Sequence, residues 1–297
     1  MLEMLLNRSK ALQGGEWSLL AQPVTKPVGL MEFAMGSIGD KIYIQGGYDG
    51  STIRNNLWEY DTVVGNWTVR PTGGVNRYPG FCVAGDRFYV HGGRSTAATP
   101  VNTFRQYDPA TGVWTTLATG PTARYQHAMA AVGSKIYLHG GYASTVYGSD
   151  FWVYDTTDNT WLRLADTSFG RRLCCLMAIG NKLYLFGGQP VGGGPTDELW
   201  CYDTEANTWE QLPDGPVVRY SFAYAVVGQK FYIFGGYSNK ANNDLWEFDT
   251  ESNTWSELKA GATARHSCHF ASVGENLYLY GGTPSSNALS DLWKCAV

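Results

Sequence analysis

The sequence predicts an all-β fold assembled from six copies of one unit, and three observations support this prediction. A Gly-Gly pair recurs every 46 to 48 residues, beginning at positions 46, 92, 140, 187, 235 and 281. A short aromatic and β-branched run precedes each pair, as in KIYIQGG and KFYIFGG. Aromatic residues make up 14% of the chain and glycine occurs 36 times, which is typical of many short strands joined by tight turns. Because one such unit cannot bury both of its faces alone, neighbouring copies must pack on each other.

Each unit contains four strand signals, which we name a to d in chain order. Strand a is an apolar run that ends in a Gly turn, as in FAYAVVGQK, and strand b leads into the Gly-Gly pair. After a loop of 8 to 10 residues, strand c begins with Leu-Trp or Phe-Trp, with Thr103-Phe104 as the weakest copy. Strand d follows an Asn-rich turn and holds a second tryptophan, as in LWEFDTESNTW. Four strands at this period predict a six-bladed β-propeller, whose blades surround a central channel.

The sixth unit lacks its own strand d, because the sequence ends at LWKCAV. Trp17 precedes the first strand a and has no unit of its own, whereas the other second tryptophans stand at positions 67, 114, 161, 209 and 255. We therefore expect the strand around Trp17 to complete blade six beside Trp293, which removes both open sheet edges. The prediction is one propeller domain over residues 16–297, preceded by a tail at residues 1–15.

The Gly-Gly pair, the Tyr-Asp dipeptide and the two spaced tryptophans resemble the kelch-repeat family over about residues 17 to 297. This resemblance implies a non-enzymatic binding module, since kelch substrate adaptors capture acidic peptide motifs with loops on one propeller face. The compact repeats without accessory domains look more like bacterial or phage kelch proteins. A component of a larger assembly, such as a phage or virion, is therefore one version of the hypothesis.

The loops that join strand d to a and strand b to c emerge on one face of a propeller, called here the d–a/b–c face. Five d–a loops end on an arginine, whereas the first is three residues longer and has Leu30 at that place. Tyrosine, arginine or histidine follows these arginines and most of the Gly-Gly pairs. The predicted binding residues are Tyr48, Arg77, Tyr78, Arg94, Arg124, Tyr125, Tyr142, Arg171, Arg172, Arg219, Tyr220, Tyr237, Arg265 and His266.

Arginine presents a planar charged fork to carboxylates, phosphates and sulfates, and tyrosine adds rigid amphipathic area. We therefore predict a protein or glycan partner with anionic groups at this face. One alternative stays open, because arginines that recur in nearly every repeat can instead bond carbonyls and carboxylates between blades.

The composition argues against several classes of protein. A net charge of −4 gives no bulk affinity for nucleic acid, and no apolar run approaches the roughly 20 residues of a membrane helix. The start, MLEMLLNRSKAL, is too short in its apolar part for a signal peptide, which favours a cytoplasmic or virion-associated protein. The six cysteines have no paired spacing, so we expect free thiols in a reducing compartment.

No catalytic constellation, metal site or cofactor is predicted. His91 and His139 stand just before Gly-Gly pairs, at a place that phenylalanine fills in two other units, which favours packing over metal ligation. The rival hypothesis is an enzyme, because six-bladed kelch sialic-acid mutarotases resemble this chain in blade count and in an arginine-lined mouth for a sugar carboxylate. Glu32 is the acid nearest the mouth of the first blade.

The segment MLEMLLNRSKALQGG is not explained by the propeller. Its apolar residues can share one side of a short helix that ends at Gly14-Gly15. Residues 1–13 are therefore predicted either to cover the propeller's own surface or to dock on a second subunit.

Overall fold

The computed structural model describes residues 14–74, 76–95, 99–143 and 146–297. Within these residues there is no helix, and hence none that could cross a membrane. The main strands form six four-stranded antiparallel sheets, and the first strands of neighbouring sheets contact each other around a complete circle. The predicted six-bladed all-β propeller is confirmed. The helix or docking peptide expected at residues 1–13 lies outside the described residues and stays a prediction.

The strands of blades one to three follow one another in chain order after β1 (Glu16–Leu19), which belongs to blade six. Blade one contains β2 (Ala34–Ile38), β3 (Lys41–Gln45), β4 (Leu57–Asp61) and β5 (Asn66–Arg70). Blade two contains β6 (Gly80–Ala84), β7 (Arg87–His91), β8 (Phe104–Asp108) and β9 (Val113–Thr116). Blade three contains β10 (Ala128–Val132), β11 (Lys135–His139), β14 (Phe151–Asp155) and β15 (Thr160–Arg163), with a ribbon of β12 (Tyr142–Ala143) and β13 (Val146–Tyr147).

Blades four to six repeat the arrangement. Blade four contains β17 (Cys175–Ile179), β18 (Lys182–Phe186), β20 (Leu199–Asp203) and β21 (Thr208–Leu212), with a ribbon of β16 (Arg171–Arg172) and β19 (Gln189–Pro190). Blade five contains β22 (Ala223–Val227), β23 (Lys230–Phe234), β24 (Leu245–Asp249) and β25 (Thr254–Leu258). Blade six contains β26 (His266–Val273), β27 (Asn276–Thr283) and β28 (Leu292–Ala296), and β1 is its outer strand.

The repeated Tyr-Asp and Trp residues build the outer half of each blade. Tyr60 packs against Trp67 with ring centroids 4.8 Å apart, and both side chains are buried. The Asp61 carboxylate accepts hydrogen bonds from the backbone N–H groups of Val63 and Val64, which closes the turn into strand d. The Tyr-Asp and Trp motifs therefore have structural roles in each blade.

Strand β1 pairs with β28, with Trp17 opposite Cys295. The Trp17 indole lies between blades five and six, 5.1 Å from the ring of Phe234 and 6.3 Å from that of Trp293. Its Nε1–H donates to the carbonyl oxygen of Lys259 at 2.9 Å. Blade six is thus one sheet made from two distant parts of the chain.

One residue per blade adopts the left-handed backbone conformation next to the channel, with φ between 55° and 63°. These six residues, called the axial ring, are Glu32, Tyr78, Gln126, Leu173, Ser221 and Ser267. The N–H of each donates to the carbonyl oxygen of its counterpart in the adjacent blade, over 2.7 to 3.2 Å. The hydrogen bonds form a closed circle, so main-chain atoms fix the spacing of the blades at this level.

All six cysteines are buried and carry free thiols. Burial raises the pKa of the Cys174 thiol to about 11, with the charge of Arg171 opposing the shift. Such thiols are poor nucleophiles near neutral pH, as expected for cysteines that serve as small core residues.

Candidate binding face

Four of the predicted arginines are buried inside their blades rather than exposed at the mouth. Arg124, Arg171, Arg219 and Arg265 are at most 2% exposed. In each case Nη1 donates to the carbonyl of the first glycine of the blade's own Gly-Gly pair, at 2.8 to 3.1 Å. Each guanidinium also pairs with the acid that precedes strand c; these acids are Asp150, Glu198, Asp244 and Asp291. The expectation that these four groups face a ligand is therefore corrected.

The arginine–carboxylate contact explains why these side chains turn inward. Burial alone would raise the pKa of Asp150, but hydrogen bonds from Arg124 and its positive charge outweigh that effect and keep the pKa below its ordinary value. The bidentate geometry satisfies both charged groups in a partly dehydrated place. The interaction lies within one blade, not between blades as the open alternative supposed.

Arg77 does not belong to this buried set. The N–H of the second glycine in each pair donates to the carbonyl oxygen of one residue in the next blade. This residue is Arg124 for Gly93 but Asn76 for Gly47. Arg77 therefore stands one position later, where its main chain pairs with Arg94. Comparison of the repeats by residue type matched Arg77 with Arg124. The backbone hydrogen bonds show that Asn76 is the residue equivalent to Arg124.

Next to the axial ring, each blade has two residues that pair through their main chains as in an antiparallel sheet. These two residues are called a mouth pair. The six mouth pairs are Met31–Tyr48, Arg77–Arg94, Tyr125–Tyr142, Arg172–Gln189, Tyr220–Tyr237 and His266–Thr283. All of these residues are partly exposed except Met31 and Thr283, which are buried. Nine of the fourteen predicted binding residues lie in this set, and Tyr78 lies beside it in the axial ring.

Two arginines flank the tyrosine pair of blade three. The guanidinium carbon of Arg94 lies 5.1 Å from the ring centroid of Tyr125, and that of Arg172 lies 6.0 Å from the ring of Tyr142. The two tyrosine rings meet edge to face at 5.3 Å. Arg172 also donates to the amide oxygen of Gln126 at 3.0 Å. This group of two arginines and two tyrosines is called the cationic arc.

The third arginine of the mouth pairs is engaged by an acid of the chain itself. Both nitrogens on one side of the Arg77 fork bond the Glu32 carboxylate, with Nη2 3.0 Å from Oε1. The guanidinium is stacked 4.2 Å from the centroid of Tyr48 and 5.3 Å from that of Tyr78. Glu32 is 5% exposed, and the Arg77 side chain is 26% exposed.

The opposite half of the mouth is aromatic and uncharged. Tyr220 and Tyr237 lie 5.6 Å apart, and the His266 ring meets Tyr237 edge to face at 5.4 Å. Burial lowers the pKa of His266, and the charge of Glu32 opposes this shift. The d–a/b–c face is therefore divided, with arginines on blades two and four around the tyrosine pair of blade three, and aromatic side chains on blades five, six and one.

Comparison with known proteins agrees with this architecture. The family model described as the KLHDC2/KLHL20/DRC7 Kelch-repeats domain matches residues 32–172 and 167–297. The chain belongs to the kelch-repeat family. Kelch-like protein 21 of Danio rerio is 34% identical over 85 residues, which cover 28% of the kelch chain and 14% of that protein. Kelch propellers generally serve as protein-interaction modules, and the confirmed family gives this chain the same general role.

A small axial cavity lies beneath the mouth of the kelch propeller, with a volume of about 60 Å³. Its wall includes Glu32, His127 and His269, and the His269 ring is 4.9 Å from Phe33 and 5.2 Å from Phe81. Burial lowers the pKa of His269 to about 3. Among the described residues, no three His, Cys, Asp or Glu side chains are grouped as metal ligands would be.

The sequence analysis missed the axial ring, the role of Glu32 and the Arg77–Arg94 pairing. The axial ring is made by main-chain atoms, and its six positions hold five different residue types, so no one residue type marks it. The six positions do share one signal, because each is the second residue after the place where four blades have the buried arginine.

Proposed function

We propose that this kelch propeller binds an anionic segment of a partner protein through the cationic arc of the d–a/b–c face. The observation that carries the proposal is the stacking of Arg94 and Arg172 on the Tyr125–Tyr142 pair. A cationic cluster in a chain of net charge −4 creates a local field opposite in sign to the whole molecule. That field attracts carboxylate or phosphate groups to this part of the mouth.

The surroundings of the cationic arc favour tight binding. Arginine and tyrosine are enriched among residues that dominate interface energies. Stacking on tyrosine orients both guanidinium groups before a ligand arrives, and a hydrogen bond to Gln126 holds Arg172 further, which reduces the entropy lost on binding. The axial ring and the buried arginines fix the loops that present these side chains. The role of the four buried arginines in this proposal is thus to position the face.

More specific functions are further proposals, and the first of them uses the same site. A glycan with carboxylate or sulfate groups would use the same two arginines, and its sugar rings would stack on the tyrosines. A place in a bacterial, phage or virion assembly, and a second subunit bound by residues 1–13, stay predictions. The sugar-epimerase alternative finds no support, because both oxygens of Glu32, its nearest acid, are bonded by Nε and Nη2 of Arg77.

A peptide-display selection against the kelch propeller tests the proposal. We expect the selected peptides to be rich in Asp and Glu, and the double variant R94A/R172A to bind them at least about tenfold more weakly, as for a hot-spot pair. The matched control is R87A/K135A, which removes two positive charges that pair with Asp108 and Asp155. The thermal melt of R94A/R172A should stay near that of the wild type. Equal weakening by both double variants would contradict the proposed site.

A further inference from the structure

We propose that Glu32 is an internal competitor that occupies Arg77 and thereby confines an anionic ligand to Arg94 and Arg172. The inference rests on the proposed function and names the residue that limits how far the ligand extends across the mouth. Without Glu32, the positive surface of blades two to four would include Arg77 as a third cation.

The geometry of Glu32 is that of a bound carboxylate. Arg77 occupies a mouth pair and is 26% exposed, so its backbone places it where Tyr125 and Arg172 stand in the next two blades. Its fork is nevertheless closed on both oxygens of Glu32. A ligand carboxylate would make these same two bonds with an arginine. Glu32 is the acidic member of the axial ring, and at 5% exposure it is held away from water.

The charges of Glu32 and Arg77 cancel at a distance. A ligand carboxylate approaching Arg77 meets a neutral pair, and it would have to displace an acid that is already desolvated and bonded twice. Arg172 instead donates hydrogen bonds to two amide oxygens, those of Gln126 and Gln189. In this proposal the field of the mouth centres on blade three, between Arg94 of blade two and Arg172 of blade four.

The Glu32–Arg77 pair also joins blade one to blade two. Neither blade has the buried arginine–carboxylate pair of the other four, since Leu30 and Asn76 stand at the arginine positions, and Asn56 and Thr103 at the acid positions. A substitution at Glu32 should therefore keep the shape of the side chain and an acceptor for Arg77. Glutamine keeps the shape and one of the two acceptor oxygens, and it removes the charge.

The experiment measures the binding of a fluorescein-labelled hexaglutamate peptide by fluorescence anisotropy at low salt. E32Q should bind it about three- to tenfold more tightly, the effect of one uncancelled charge a few ångströms from the ligand. The double variant E32Q/R77Q should bind like the wild type, because it removes a pair of zero net charge. A labelled hexaglutamine peptide serves as the neutral probe and should show no gain.

Two results would overturn the inference. One is an unchanged or weaker affinity of folded E32Q, which would mean that Glu32 does not compete. The other is a clear loss of affinity in E32Q/R77Q, which would mean that Arg77 itself contacts the ligand; this arm decides the question even if E32Q alone does not fold. Failure of the proposed function looks different, because hexaglutamate would then bind R94A/R172A as well as it binds the wild type.

Discussion

A shift of one position decides whether an arginine of this propeller supports the fold or is presented at its surface. Arg171 and Arg172 are adjacent, yet Arg171 is 1% exposed and pairs with Glu198, whereas Arg172 reaches the mouth and lies over Tyr142. Residue type alone cannot separate the two roles. The backbone register of the d–a loop separates them, because alternate positions point into the blade and along the mouth.

Truncation of a buried arginine should destabilise the fold. R219A removes the ion-pair partner of Asp244, which keeps the hydrogen bond from Trp246, and it leaves the Gly235 carbonyl without its arginine donor, so we expect a loss of about 3–5 kcal/mol in the free energy of unfolding. Urea denaturation measures this loss. The exposed pair of Arg163 and Asp166 provides the control, and R163A should cost less than about 1 kcal/mol. Similar losses in both variants would show that the buried contact adds nothing special.

At the scale of strands, the outer strand of blade six is the most informative element. This strand has only four residues. Its main packing residue is Trp17, whose ring contacts those of Phe234, Phe270 and Trp293. The side chain also excludes any substituent at Gly261, where an added Cβ would come within 2.1 Å of the indole. Sheet completion therefore depends on one side chain in a short strand.

Replacement of Trp17 by alanine should weaken the closure of the ring. We expect W17A to lower the free energy of unfolding by at most about 3–5 kcal/mol, the range for a fully buried large aromatic residue, because Trp17 is partly buried. Thermal and urea denaturation of W17A and of a variant that lacks residues 1–20 measure the effect. A melting temperature unchanged by the deletion would contradict the role assigned to β1.

The strand order and blade count could be predicted because they are repeated in side-chain chemistry. The Gly-Gly pairs, the Tyr-Asp motif and the tryptophans recur at fixed intervals, and each has a packing or turn role that tolerates few replacements. The candidate site could be predicted only in outline. The Asn76–Arg77 shift and the Glu32–Arg77 contact depend on backbone register and on contacts between blades, which single-sequence spacing does not contain.

At the scale of the whole molecule, neutral histidines buried in neighbouring blades make stability sensitive to acid. His91 and His139 are fully buried, and burial, reinforced by the charges of Arg124 and Arg171 respectively, lowers both pKa values to about 3. The unfolded chain takes up these protons below about pH 6.5. Stability from both groups is therefore complete above pH 6.5 and is lost as the pH falls from 6.5 towards 3.

Acid sensitivity can be traced to a single blade with one substitution. At pH 5, each such histidine should lower the free energy of unfolding by about 2 kcal/mol relative to pH 7. H139F should remove one of these contributions, since blades four and five have Phe186 and Phe234 at the same place. Urea denaturation at pH 7 and pH 5 compares the two proteins. An identical pH dependence in H139F would contradict the assignment.

The axial ring has an electrical consequence as well as a mechanical one. Its six hydrogen bonds run head to tail in one rotational sense, from Tyr78 to Glu32, from Gln126 to Tyr78, and onward until Glu32 donates to Ser267. Bond dipoles arranged in this way around a closed loop cancel, unlike the aligned peptide dipoles of a helix. The axial ring therefore contributes no net dipole to the potential in the channel. The side chains alone determine the sign of the potential that a ligand meets there, and substitutions can change that sign one blade at a time.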